Sequence, residues 1–103
     1  MAYKLITALR YEEQLDGILH YVAEELHNKT AAKLIYKDIR EAYKFLKVFP
    51  MATPVCSDEI LETRGYRKYV LQHHDYVIIL SVEDDTVILK GIFHCLENYA
   101  DDF

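Results

Sequence analysis

Apolar residues recur along this chain with two different periods, first every three or four residues and later every second residue or in unbroken runs. From Tyr11 to Leu26 the positions Leu15, Ile18, Leu19, Val22 and Leu26 gather on one side of a helix, and Asp16, His20, Glu24 and His27 fall outside that stripe. Before it, Tyr3 to Thr7 reads as a short strand ending on a residue type that caps a following helix. Asn28 accepts the left-handed backbone that ends a helix, and Thr30 is a cap for the next, so the connection is short and the two helices form an antiparallel hairpin. The second helix, about Thr30 to Phe49, is expected to bury Ile35, Ile39, Ala42, Leu46 and Phe49. Pro50 closes it by disfavouring the helical conformation at the residue before.

Met51 to Thr63 shows no period, contains Pro54 and carries Asp58, Glu59 and Glu62, which suits an acidic surface loop. After Gly65 come three β-type runs, Tyr66 to Leu71, Tyr76 to Val82 and Thr86 to Phe93. The links Gln72 to Asp75 and Glu83 to Asp85 are of hairpin length and imply antiparallel neighbours. In the middle run Tyr76, Ile78, Leu80 and Val82 are apolar on one side, and Val77 and Ile79 on the other, so this strand is covered on both faces. The helical hairpin covers one face. Little chain remains for the other beyond Leu96 to Phe103, so a partner protein is expected to cover part of it.

With 103 residues the chain suits a single domain, residues 1–103, of α+β class. Its composition, 51% hydrophobic and 28% charged, is that of a globular core with a polar surface and excludes a disordered tail. The 12 Lys and Arg against 17 Asp and Glu give a formal charge of -5, which disfavours general nucleic-acid binding without a local cationic patch. The longest apolar stretch, Tyr76 to Val82, is far short of the roughly 20 residues that span a bilayer, and no leader pattern opens the chain; no membrane association and a cytoplasmic location are expected. Cys56 and Cys95 share no metal-type spacing and are read as free thiols.

Charge is unevenly placed. Lys33, Lys37, Arg40, Lys44 and Lys47 step by four and three residues down the second helix. At about 100° per residue they stay within about 40° of one line, opposite the apolar stripe, and form a candidate partner-binding surface. The first helix carries Glu12, Glu13, Asp16, Glu24 and Glu25 and no Lys or Arg between Tyr11 and Asn28, so ion pairs across the hairpin are expected. His73 and His74 are adjacent in a turn, where neighbouring side chains diverge, so no metal site is expected there.

The order strand, helix, helix and three strands, with the residues that occupy it, resembles the ParE/RelE superfamily of bacterial type II toxins over nearly the whole chain. In the first half the resemblance rests on Leu15, Ile18 and Tyr21, on Ala31 or Ala32 opening the second helix, and on Ile39, Leu46 and Pro50. In the second half it rests on Gly65-Tyr66-Arg67, Tyr76-Val77-Ile78-Ile79, Val87-Ile88-Leu89 and Ile92-Phe93-His94, with Tyr99 behind; that succession looks like the ParE branch. The resemblance implies a β-α-α-β-β-β fold in which an antiparallel sheet packs on the helical hairpin. It also implies a growth inhibitor neutralised by a cognate antitoxin, acting on DNA gyrase by binding, with no cofactor. Homodimerisation is left open.

The alternative within the superfamily is a RelE-type, ribosome-dependent mRNA endonuclease. Metal-free RNA cleavage needs a base for the 2′-hydroxyl, cations for the phosphate and an acid for the leaving oxygen. Arg67, Arg64, Lys68, His94 and Tyr99 are the residues available for those roles, Arg67 first because a guanidinium holds two phosphate oxygens at once. Two of them also have a plain structural role: Arg67 in an ion pair with a loop carboxylate, His94 as a hydrogen-bonded, half-buried residue. Two departures from the family stand out. These toxins are commonly basic, whereas this chain is acidic, and its last segment offers Lys90, His94 and Tyr99 among Glu97, Asp101 and Asp102. A repurposed member that no longer inhibits growth is therefore a third reading.

Overall fold

In the computed structural model, which describes residues 2–103, the two periods become two layers; of the expected domain only Met1 lies outside the described residues. The elements are β1 (Lys4–Thr7), α1 (Leu9–His20), a π-type turn (Tyr21–Glu25), α2 (Lys29–Val48), a 3-10 turn (Pro50–Ala52), α3 (Glu59–Thr63), β2 (Arg67–Val70), β3 (Tyr76–Glu83), β4 (Thr86–His94) and a second 3-10 turn (Tyr99–Asp102). The strands form one sheet in the order β1-β4-β3-β2. The β2-β3 and β3-β4 pairs are antiparallel, whereas β1 lies parallel to β4, from Lys4 beside Thr86 to Thr7 beside Leu89. The α+β class therefore holds, with one parallel edge added: β1 is separated from β4 by most of the chain and is not bound by hairpin geometry.

The hairpin face of the sheet carries the main core. Tyr11 and Val22 from the first helical segment and Ile35, Ile39, Ala42 and Leu46 from α2 pack on Tyr69, Ile78, Leu80, Val87, Leu89 and Ile92. Tyr11 and Tyr43 join the two helices by a 2.6 Å hydroxyl-hydroxyl hydrogen bond. Burial, with Tyr43 beside it, pushes the Tyr11 phenol up, so the pair stays neutral. Where β1 stops, α1 takes over the edge of β4. The Ala8 N–H donates to the Leu89 carbonyl, and the Gln14 side-chain oxygen accepts from the Ile92 N–H at 3.0 Å.

Several boundaries differ from the sequence expectation, each for a local reason. Ala8, not Thr7, is the N-cap of α1, and it makes no side-chain bond. Leu26 is exposed because the π-type turn winds with more residues per turn and rotates it off the stripe. The left-handed residue between the helices is His27 (φ 51), and Asn28 instead caps α2, accepting from the Ala31 N–H at 3.0 Å. Phe49 is 58% exposed, because Pro50 holds it out of helical geometry at φ -126 and ψ 46. Among the described residues no ion pair links α1 to α2; the expected cross-hairpin pairs do not form.

The largest correction concerns the reverse face. It is sealed by the chain itself. Val77, Ile79 and Phe93 are buried there together with Cys56 and Leu61, under Tyr66, Tyr99, Ala100 and Phe103. The segment read as a surface loop holds α3, whose Leu61 is fully buried, and Val55 bridges to Arg67 in antiparallel fashion. The tail then folds over Phe93: Tyr99 stacks on its ring at 5.5 Å, and Phe103 meets it edge-on at 5.8 Å. Arg10 reaches round from α1 to lie 4.8 Å from the Phe103 ring, and it also pairs with Asp102. A register shift between Ile79 and Leu80 leaves Lys90 as the extra residue of β4, and Phe93 lies so close to Gly91 that a Cβ there would meet its ring at 2.7 Å.

Candidate functional site

The five residues with acid-base or phosphate-binding chemistry lie on different sides of the sheet. Tyr69 packs in the hairpin-side core, so strand alternation puts Arg67 on that side and Lys68 on the reverse. The Arg67 guanidinium donates to the Thr53 carbonyl and, at 3.4 Å, to that of Met51, fixing the turn that follows α2. It acts as a clamp on the preceding loop, with carbonyls in the place of the carboxylate expected from sequence. Arg64 is the exposed C-cap residue of α3, ahead of Gly65, whose φ of 73 suits glycine.

His94 ends β4 on the α1 side, with Tyr76 edge-on at 5.5 Å. Its Nδ1 accepts from the Leu96 N–H at 3.2 Å, which puts the ring proton of the neutral form on Nε2, and its own N–H donates to Glu97 at 3.0 Å. It lines a cavity of about 340 Å³ with Gln14, Tyr21, Tyr76, Phe93 and Glu97, a wall that ends in a carboxylate and holds no Lys or Arg. Tyr99 sits across the sheet, stacked on Phe93, its phenol pushed up first by burial and then by the neighbouring thiols and Asp58. Lys68 is on that same side, as is Lys90, whose ammonium lies 5.8 Å from the Tyr66 ring. The structure thus leaves Lys68 and Tyr99 on the reverse face and Arg67 and His94 on the other.

Two arrangements went unnoticed in the sequence. Asp38, on α2, is only 3% exposed. One carboxylate oxygen accepts from the His73 N–H and from His74 Nδ1, both at 2.9 Å, tying the β2-β3 turn to α2. Burial alone pushes this carboxyl up, but the bonds from His74 and His73 outweigh it and hold it below the usual carboxylate range. A lone acid inside the apolar flank of a helix was the available signal. The second arrangement is that Cys56 and Cys95 line one cavity of about 420 Å³ with Asp58, Glu97 and Tyr99. Burial pushes both thiols up, Asp58 adding to the effect at Cys56 and Asp75 at Cys95, which favours the protonated form of each.

The basic line is as expected from the spacing. Lys33, Lys37, Arg40, Lys44 and Lys47 are all exposed on α2. Four of them border a trough of about 290 Å³ with Tyr36 and Glu41, and Lys44 pairs with Glu41 at 3.3 Å. Beyond the end of that helix, Phe49 and Met51 continue as an exposed apolar run after Val48.

Among curated proteins none matches the chain in sequence. Among solved structures, one described as a chromosomal ParDE TA system from P. aeruginosa is similar in fold, with a TM-score of 0.71 at 21% identity, covering 90% of this chain and 96% of that one. The family described as ParE toxin of type II toxin-antitoxin system, parDE, matches residues 5–99, from the middle of β1 to the tail that closes the reverse face. The chain belongs to the ParE toxin family of type II toxin-antitoxin systems.

Proposed function

We propose that this chain is a growth-inhibiting toxin that acts by binding and poisoning DNA gyrase and is neutralised by a cognate antitoxin in the bacterial cytoplasm. The observation that carries the reading is the family match over residues 5–99. The placement of the candidate side chains supports inhibition by contact. Arg67 is engaged with loop carbonyls, and His94 bonds to the backbone of Leu96. An inhibitor that works by contact needs an exposed surface, and the apolar run Val48, Phe49 and Met51 offers one. Such patches on a small domain mark protein-protein contact.

The test is to express the chain in bacteria with and without the neighbouring open reading frame, scoring growth, gyrase-dependent DNA breaks and ribosome-dependent mRNA cuts. The expected result is arrest by the chain alone, relief by its neighbour, and DNA breaks that a toxin-resistant gyrase abolishes. Ribosome-dependent cuts would instead assign the RelE-type activity. A folded chain that leaves growth untouched would be a repurposed member of the fold.

A further inference from the structure

α1 and α2 present outward faces of opposite charge that do not satisfy each other within one molecule. On α2 the exposed line Lys33, Lys37, Arg40, Lys44 and Lys47, with Lys29, holds half of the 12 Lys and Arg in the chain. On α1 and the turn after it, Glu12, Glu13, Asp16, Glu24 and Glu25 are all exposed. Among the described residues the one ion pair made by any of these side chains is Lys44 with Glu41, inside α2 itself. The reason is geometric. The sides of α1 and α2 that face one another are occupied by the Tyr11-Tyr43 bond and by apolar packing. Each charged ridge therefore points away from the sheet, an acidic one beside a basic one.

We infer that a second copy of this chain docks on the hairpin, with the acidic ridge of α1 in each copy lying over the basic line of α2 in the other. A twofold axis running parallel to the helices between the ridges makes both contacts at once, so the surface is complementary to itself. The trough bordered by Lys33, Lys37, Arg40 and Lys44 receives the carboxylates. Leu26 and Leu34, each more than half exposed on these helices, and Tyr36 at 48% supply apolar contact beside the charges. Helix α2, with 20 residues, is about 30 Å long, and with α1 beside it the face amounts to roughly 600 Å² per copy. That lies at the low end of specific interfaces and predicts a weak dimer governed by ionic strength. The choice of occupant follows from charge. Two copies of net charge -5 repel at long range, so the contact rests on the local match: each copy brings an acidic ridge for the other's basic line and a basic line for the other's acidic ridge.

Sedimentation equilibrium of the purified full chain tests this. At about 0.1 M salt a concentration-dependent dimer is expected, and at about 1 M salt, where the Debye length shrinks to about 3 Å, a monomer. Lys37→Glu with Lys44→Glu, and separately Asp16→Lys with Glu24→Lys, are expected to raise the dissociation constant at least tenfold. An equimolar mixture of the two variants is expected to restore association as a heterodimer. All four positions are exposed, and circular dichroism verifies that each variant is folded. A wild type that stays monomeric at about 0.1 M salt, variants that associate like the wild type, or folded variants that do not pair on mixing would each overturn the inference. The outcome is independent of the toxin assay, since the measurement involves neither gyrase nor antitoxin.

Discussion

The two faces of the sheet are buried by different means. On one, a pair of helices lays a continuous apolar stripe across β2, β3 and β4, with Ile39, Ala42 and Leu46 fully buried against Ile78, Leu80, Val87 and Leu89. On the other, a short helix and a tail close over Val77, Ile79 and Phe93 with a handful of residues, among them Leu61, Tyr66, Tyr99 and Phe103. The helical cover is long, cooperative and held by many backbone hydrogen bonds. The reverse cover depends on a few large rings and on Arg10, which reaches round from α1 to Phe103 and Asp102. A core sealed this way is as buried as the first but is expected to yield sooner.

Neighbouring residues of β3 probe the difference most strongly. Leu80, fully buried under the hairpin, and Ile79, fully buried under the reverse cover, are isomeric side chains of equal volume that enter opposite faces. Leu80→Ala is expected to cost about 4 kcal/mol in urea unfolding, and Ile79→Ala about 2 to 3 kcal/mol, because the short segments above it can settle into the cavity. Equal losses would mean that the reverse cover is as unyielding as the helices. Removing the tail after Asn98 takes away Tyr99 and Phe103 and bares Phe93. A loss of about 2 kcal/mol is expected for that area, with increased binding of a hydrophobic dye and an unchanged far-ultraviolet spectrum. A truncated chain as stable as the full one would make the tail an ornament on the surface.

How legible each face was in the sequence follows the same division. The helical hairpin, the end of α2 before Pro50 and the three later strands were all readable, because periodic apolar positions and a proline act locally. The reverse cover was not. Cys56, Leu61, Tyr99 and Phe103 are isolated apolar residues in acidic surroundings, with no period to say which side they take. The side chains with candidate chemistry divide likewise. The exposure of the α2 cations follows from spacing alone, but the contacts of Arg67, with carbonyls of Met51 and Thr53, are set by the path of a loop. Asp38 also escaped notice, since its partners His73 and His74 lie in a turn some 35 residues away.

On the hairpin side a buried carboxylate adds a polar tie of a kind that the reverse cover lacks among the described residues: Asp38 joins α2 to the β2-β3 turn. Its folded pKa lies below the unfolded value, so its contribution is present above the unfolded carboxyl range and is lost as pH falls through the folded pKa. Asp38→Asn keeps the shape but loses the charge-assisted bonds. A cost of about 2 kcal/mol near neutral pH is expected. The gap between wild type and variant should close on acidification below about pH 4, the reference range for a carboxyl group. A gap that stays constant down to pH about 2, well below that range, would remove the carboxylate as its source.

The smallest effect tests whether the helical cover depends on its termini as the reverse cover depends on its rings. Asn28 is the N-cap of α2, and its side chain accepts from the Ala31 N–H, one of the amide groups that a helix start leaves without a partner. Asn28→Ala is expected to cost about 1 kcal/mol, whereas Asn28→Asp, which keeps the acceptor and adds a charge favoured at a helix N-terminus, should cost almost nothing. The residue before it, His27, stands at φ 51, where a side chain is mildly strained. His27→Gly relieves that strain while freeing the unfolded chain, and the two opposing terms should leave stability within about 0.5 kcal/mol of wild type. Thermal melts of the three variants decide the point. If Asn28→Ala is silent, packing alone positions α2, and the hairpin resembles the tail in being held by side-chain contact and not by the ends of its helices.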